Sequence, residues 1–185
     1  LHFSDGYPLF WKSFQKKYHE VLENTTGKYM NWETVDPEKW VPYGYVCIRI
    51  DSRGMGNSPG KADFMSRQEA QDYCECIEWA AVQPWSTGKV GLLGISYYGI
   101  MQWAAAALQP PHLTAICPFE GCFDHYREWS RHGGIVTEMP YKWAPQQVEG
   151  VQYGLGSRGR ISSINGTQVS GDIDLSDDEL SENRI

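Results

Sequence analysis

Apolar residues fall along this chain in two rhythms, short continuous runs and a three-to-four spacing, and their alternation sets the first expectation of its architecture. Tyr45 to Asp51 is almost wholly β-forming, with Gly44 before it and Ser52-Arg53-Gly54 after it as punctuation, which predicts a buried strand. From Ser66 to Trp79 the period changes. Ala70, Tyr73, Ile77 and Ala80 recur every three or four positions, the stripe of an amphipathic helix, and Ser66 with Glu69 forms a capping box at its start. Pro84 and Gly88 close that element. Lys89 to Leu93 predicts a second strand, Tyr98 to Leu108 an Ala-rich helix stopped by Pro110-Pro111, and Leu113 to Pro118 a third strand. The order is β-α-β-α-β. Strands joined through helices imply the α/β class, a parallel sheet with helices on both faces and right-handed crossovers.

Outside this middle stretch the pattern is weaker. Pro8 to Tyr18 is aromatic-rich and predicts a helix, while Glu23 to Trp40 mixes Asn, Thr and Gly and predicts loop. Beyond Phe123 the strand pattern stops: residues 124–154 are rich in Trp, Tyr, His and Pro without alternation, and residues 155–174 in Gly and Ser. A helical and loop-built appendage over 124–185, lying as a lid after a core over 1–123, is the division expected. The acidic group Asp172, Asp174, Asp177, Asp178, Glu179 and Glu182 lacks the glycine and terminal glutamate of a calcium loop. It reads as a solvated helix start, with Ser176 and Glu179 as a second capping box. The chain opens on Leu1 and closes at Ile185, and is expected to be cut from something longer.

Charge removes several function classes. A net charge of −7 with scattered lysines and arginines offers no basic stripe for nucleic acid or an anionic membrane. The longest apolar stretch, Trp103 to Leu108, is bounded by Gln102 and Gln109 and is too short to span a bilayer. Five cysteines, Cys47, Cys74, Cys76, Cys117 and Cys122, show neither a disulfide framework nor metal-ligand spacing. Free thiols, no metal, and a reducing, cytoplasmic compartment are the expectation.

Against that background one segment carries chemistry. Lys89-Val-Gly-Leu-Leu-Gly94-Ile95-Ser96-Tyr97-Tyr98-Gly99, followed by an Ala-rich helix, places a serine on a sharp strand-to-helix turn, the arrangement of a nucleophile elbow. Such a turn lifts the hydroxyl above the sheet, and the amide that follows sits at the positive end of the helix, where a developing oxyanion would lie. Ser96 is the candidate nucleophile and the Tyr97 backbone N–H the candidate oxyanion donor. The competing reading makes Ser96 an ordinary N-cap. The spacing is G-x-S-x-x-G, one residue longer on its second side than the commoner G-x-S-x-G. Asp124 and His132 follow Ser96 in the order acid, base and offer an internal triad, though they lie in a single segment. The glycine loop Asp51 to Ser58 lacks the lysine of a phosphate loop and reads as a turn tied down by Asp51 and Arg53. Tyr126, Trp129, Tyr141 and Trp143 are candidates for an acyl or aromatic substrate pocket.

Three segments together, Asp51-Ser-Arg-Gly54-Met-Gly56-Asn-Ser58, Glu78-Trp79 through Gln83-Pro84-Trp85, and Gly94-Ile-Ser96-Tyr97-Tyr98-Gly99, resemble the CocE/NonD serine hydrolases, the X-prolyl dipeptidyl-peptidase and cocaine-esterase-like group. The likeness extends through Leu113 to Gly121 and the Asp124-x-Tyr126-Arg127 segment that opens that family's cap. It implies an incomplete α/β-hydrolase core with the beginning of a helical cap domain. It also implies cleavage of an ester or amide in a small molecule or short peptide through an acyl-enzyme on Ser96, with no cofactor. The family's second oxyanion donor, a tyrosine hydroxyl from a preceding loop, has no counterpart in this sequence. Nor have its catalytic acid and histidine, which come from loops after later strands. Because a serine without its base is a poor nucleophile, the stretch alone is expected to be nearly inert. The rival expectation is a catalytically inactive hydrolase-like binding or scaffold protein.

Overall fold

In the computed structural model, which describes residues 16–30, 33–161 and 168–184, the spacing after Ser66 becomes helix α1, Arg67–Ala81. The Ser66 hydroxyl accepts the Glu69 amide at 3.1 Å, one half of the capping box. The reciprocal bond is replaced: the Glu69 carboxylate accepts the Met65 amide instead, at 2.8 Å. Strand β1, Val90–Ile95, leads through a one-residue bend into helix α2, Tyr97–Ala107, and strand β2, Leu113–Phe119, returns beside β1. The two strands are parallel, with Leu92 opposite Ile116 and Ile95 opposite Phe119. The strand–helix–strand order predicted over 89–118 is thus observed.

These four elements share one apolar core. Ile77 from α1, Leu92 from β1 and Ala105 from α2 are buried at its centre, with Tyr73, Cys74, Val90, Leu113 and Ile116 packed around them. Burying a side chain such as Ile77 contributes about 1.5–3 kcal/mol. Gln102, wholly buried on α2, would weaken such a core if unpaired, but its Oε1 accepts the Cys117 amide at 2.8 Å and so ties the helix to β2. His112, just ahead of β2, bonds the Glu78 carboxylate through its ring Nδ1 at 2.6 Å and its backbone amide at 3.1 Å, tying α1 to the start of the strand.

The strand predicted over Tyr45 to Asp51 does not form. Those residues have no regular secondary structure and no ladder partner among the described residues, and Tyr45, Val46 and Ile48 are exposed. β-propensity expresses packing between neighbouring strands, so an apolar run without a flanking strand has nothing to make it one. The helix predicted over Pro8 to Tyr18 lies largely outside the described residues. Beyond Phe123 the described residues are largely helical and turn-built, with a π-helical turn at His125–Ser130, helix α3 at Met139–Gln147 and helix α4 at Asp177–Glu182. The Ser176–Glu179 capping box is formed in both directions. One departure is a small hairpin, β3 (Arg131–His132) and β4 (Ile135–Val136), turned by Gly133 and Gly134, both at positive φ. That is the backbone a two-residue hairpin loop of the primed type requires.

By packing, the chain forms two units, Asp63–Ala144 and a second made of Leu1–Ala62 with Pro145–Ile185. The first holds the core just described. In the second, the glycine loop is a structural turn: the Asp51 carboxylate accepts the Asn57 amide at 3.0 Å, and Ser58 Oγ donates to the Asp51 carbonyl at 2.9 Å. A Cβ on Gly54 would lie 2.4 Å from the Ala62 amide nitrogen, so the loop can close only with glycine there. Buried Gln152 donates to the Leu180 carbonyl at 2.7 Å and anchors α4.

Candidate active site

The bend between β1 and α2 is Ser96 alone. Its φ of 58° and ψ of −120° lie in a region that side chains rarely adopt, and such strain persists only where the surroundings over-determine it. The backbone bonds supply that constraint: the Ser96 amide donates to the Phe119 carbonyl at 2.8 Å, and its carbonyl accepts the Gly99 and Ile100 amides at 2.8 and 2.9 Å. Ser96 is the residue before α2, yet its hydroxyl caps nothing, which rules out the ordinary N-cap reading. The residue is half-buried, and its Oγ has no hydrogen-bond partner among the described residues.

Two glycines explain the unusual spacing of the motif. A Cβ on Gly94 would sit 2.3 Å from Tyr98 Cβ, so the strand must be bare where the first helical turn folds back over it. A Cβ on Gly99 would meet the Phe119 carbonyl oxygen at 2.7 Å, and one on Gly121 would meet the Gly99 carbonyl carbon at 2.8 Å. The close approach is therefore between α2 and the end of β2, three residues past the serine. Glu120 between them, at φ 49°, is also strained.

Tyr97 opens α2, so its backbone N–H lies at the positive end of the helix. Its side chain is buried and held on several sides. The hydroxyl donates to the Glu69 carboxylate, the ring stacks on Trp143 at 5.7 Å between centroids, and Tyr98 meets it edge-on at 6.3 Å. Burial, and then the Glu69 charge, push the phenol well above its usual value, so it stays a donor. Trp143 in turn meets Trp129 edge-on at 5.9 Å and Phe64 at 5.8 Å.

Of the four aromatic residues expected in a pocket, the structure therefore brings Trp129 and Trp143 together beside Tyr97. Tyr126 and Tyr141 are 60% and 67% exposed and join no ring contact among the described residues. Asp124 caps the π-helical turn, accepting the Arg127 amide at 2.9 Å and pairing with the Arg127 guanidinium, and those bonds hold its carboxyl below the usual range. His132 is engaged with the Glu128 carbonyl at 2.6 Å. His125 is half-buried against Trp129, and burial lowers the pKa of its ring. No histidine bonds Ser96 among the described residues, so Asp124 and His132 are not joined to it as a triad.

Sequence reasoning missed Glu69. Its capping-box position explained it too readily, yet it lies four residues before Tyr73 and eight before Ile77, on the buried stripe of α1. An acid on an apolar stripe signals a buried partner. Among the described residues no group of three or more His, Cys, Asp or Glu side chains is placed to hold a metal ion, and no helix is long and apolar enough to cross a membrane. All five cysteines are free thiols.

Comparison with known proteins places this geometry in context. A family model described as X-Pro dipeptidyl-peptidase (S15 family) matches residues 11–159. Cocaine esterase of Rhodococcus sp. (strain MB1 Bresler) is 34% identical over 110 residues, 57% of this chain and 19% of that protein. A putative serine esterase of Mycobacterium bovis is 35% identical over 98 residues, 52% of this chain and 16% of that protein. A putative Xaa-Pro dipeptidyl-peptidase of Bacillus cereus is 29% identical over 116 residues, 56% of this chain and 20% of that protein. The crystal structure of a CocE/NonD family hydrolase from Staphylococcus aureus matches with a TM-score of 0.55 and 47% identity, covering 56% of this chain and 19% of that one. The chain thus spans 16–20% of the length of these relatives.

Proposed function

The chain belongs to the X-Pro dipeptidyl-peptidase (S15) family of CocE/NonD hydrolases, with an incomplete α/β-hydrolase core, and on that premise we propose that it carries the nucleophile of a serine hydrolase. The reaction is cleavage of an ester or an amide, an X-Pro peptide or an acyl ester, through an acyl-enzyme on Ser96. What carries this reading is the backbone of Ser96, strained to φ 58° at a strand-to-helix bend while its hydroxyl serves no cap. A protein that needed only a turn there would have glycine.

The chemistry follows from the placement. A base takes the Ser96 proton as Oγ attacks the substrate carbonyl, and the oxygen that gains the electron pair is stabilised by the Tyr97 N–H at the head of α2. Collapse expels the alcohol or amine, and water then cleaves the Ser96 ester by the reverse sequence of proton transfers. The base and its orienting acid come from outside the described residues, since no histidine there bonds Ser96. Serine acyl transfer requires no metal or organic cofactor. Trp129 and Trp143 form part of the acyl pocket, with Tyr126 and Tyr141 at its exposed margin, and residues from 124 onward begin the cap over a core ending at 123. The substrate is a small ester or amide or a short peptide, in the cytoplasm.

Labelling with a fluorophosphonate tests the assignment. The protein carrying this chain is expected to label, and Ser96→Ala to abolish labelling. No labelling of the wild type favours the inactive scaffold. Equal labelling of Ser96→Ala moves the nucleophile elsewhere.

A further inference from the structure

A carboxylate buried on the apolar stripe of a helix needs a reason to be there, because an unpaired buried charge is strongly destabilising. Glu69, 7% exposed, has among its partners two that lead to strained backbone. One is the amide of Met65, a non-glycine residue at φ 55°, which donates to Glu69 Oε2 at 2.8 Å and approaches the Tyr97 hydroxyl at 3.4 Å. The other is the Tyr97 hydroxyl itself, which donates to the same Oε2. Tyr97 follows the strained Ser96 directly, so holding its side chain restrains the Cα next to the backbone N–H. The ring is stacked on Trp143 and met edge-on by Tyr98, and the hydroxyl bond adds a restraint on its tilt in the plane of the stack.

We infer that Glu69 is a positioning residue for acyl transfer at Ser96: through the Tyr97 hydroxyl it fixes the peptide whose N–H receives the oxyanion. The inference rests on Ser96 being the nucleophile. Glu69 touches no reacting atom and acts entirely through Tyr97. Because a donor displaced by about an ångström can cost on the order of 100-fold in rate, a single bond remote from the substrate has leverage on turnover. Its influence is confined to the transition state. An oxyanion donor bonds more strongly as charge develops on the substrate oxygen, so turnover is expected to move more than substrate affinity.

The test uses the protein carrying this chain, with reacting sites counted by fluorophosphonate so that misfolded molecules drop out. Per reacting site, Tyr97→Phe and Glu69→Gln are each expected to lower kcat by about 10- to 100-fold on an aryl ester and an X-Pro anilide, with KM within about twofold. The double variant is expected to lose no more than the worse single, because Tyr97→Phe removes the bond that Glu69→Gln weakens to a neutral one. Tyr97→Phe removes one oxygen and keeps the ring stack, so it carries the test if Glu69→Gln fails to fold. A kcat per reacting site within about twofold of wild type for Tyr97→Phe overturns the proposal, and so does a change confined to KM. Failure of the underlying reading shows differently: Ser96→Ala then labels like wild type, or the wild type neither labels nor turns over.

Discussion

At Ser96 the backbone sits where a Cβ is costly, and that cost can be measured separately from catalysis. Relief of strain at φ 58° and ψ −120° is worth about 1–3 kcal/mol, against about 0.5–1 kcal/mol of chain entropy for a glycine. Ser96→Gly is therefore expected to be more stable than Ser96→Ala by about 1 kcal/mol in thermal unfolding, both being inactive. Equal stability would mean an unstrained bend. The neighbouring glycines make an opposed pair of tests. Gly94→Ala forces a Cβ to within 2.3 Å of Tyr98 Cβ and is expected to cost about 1–3 kcal/mol by urea unfolding while disturbing the elbow. Gly91→Ala, whose Cβ meets nothing nearer than the Ala115 carbonyl oxygen at 3.9 Å, is expected to stay within about 0.5 kcal/mol of wild type.

Among the elements, α1, β1, α2 and β2 stand or fall together through Ile77. Ile77→Ala opens a cavity between both helices and the sheet and is expected to cost about 2–5 kcal/mol, read from the urea midpoint. The tie between α1 and β2 titrates. His112, through its ring and its amide, holds the Glu78 carboxyl below its ordinary value of 4.5, so the ionised form is favoured by folding. The stabilisation is fully present above pH 4.5 and is lost as pH falls through the lower folded value. The stability difference between wild type and Glu78→Gln is accordingly expected to shrink as pH falls below 4.5. A difference that grows below pH 4.5 would contradict the assignment. These same elements were legible in the sequence because their signals are local: a three-to-four stripe, a capping serine, a serine between glycines. Tyr45 to Asp51 was not, since a strand is made by its neighbours and its own β-branched residues cannot supply them. The hairpin at Gly133-Gly134 was readable as a two-glycine turn but was masked by the aromatic, proline-rich segment around it. Glu69 was hidden by a cap that explained it only in part.

For the whole molecule, the consequence of scale is that a nucleophile and a base on separate elements must meet. These 185 residues hold the elbow, the amide at the head of α2 and part of an aromatic wall, and no histidine against Ser96 among the described residues. Expressed by themselves they are expected to hydrolyse model esters on the order of 10⁶-fold more slowly than a longer S15 relative, the size of loss seen when a serine hydrolase is deprived of its base. Turnover comparable to a relative would place a base within this stretch. The claim on which all scales converge is that Ser96 becomes acylated. Rapid quenching of the protein carrying this chain with a slowly hydrolysed aryl ester, followed by peptide mass mapping, tests it most directly: the account predicts the acyl group on Ser96, and an acyl group on any other residue, with Ser96 unmodified, would contradict it.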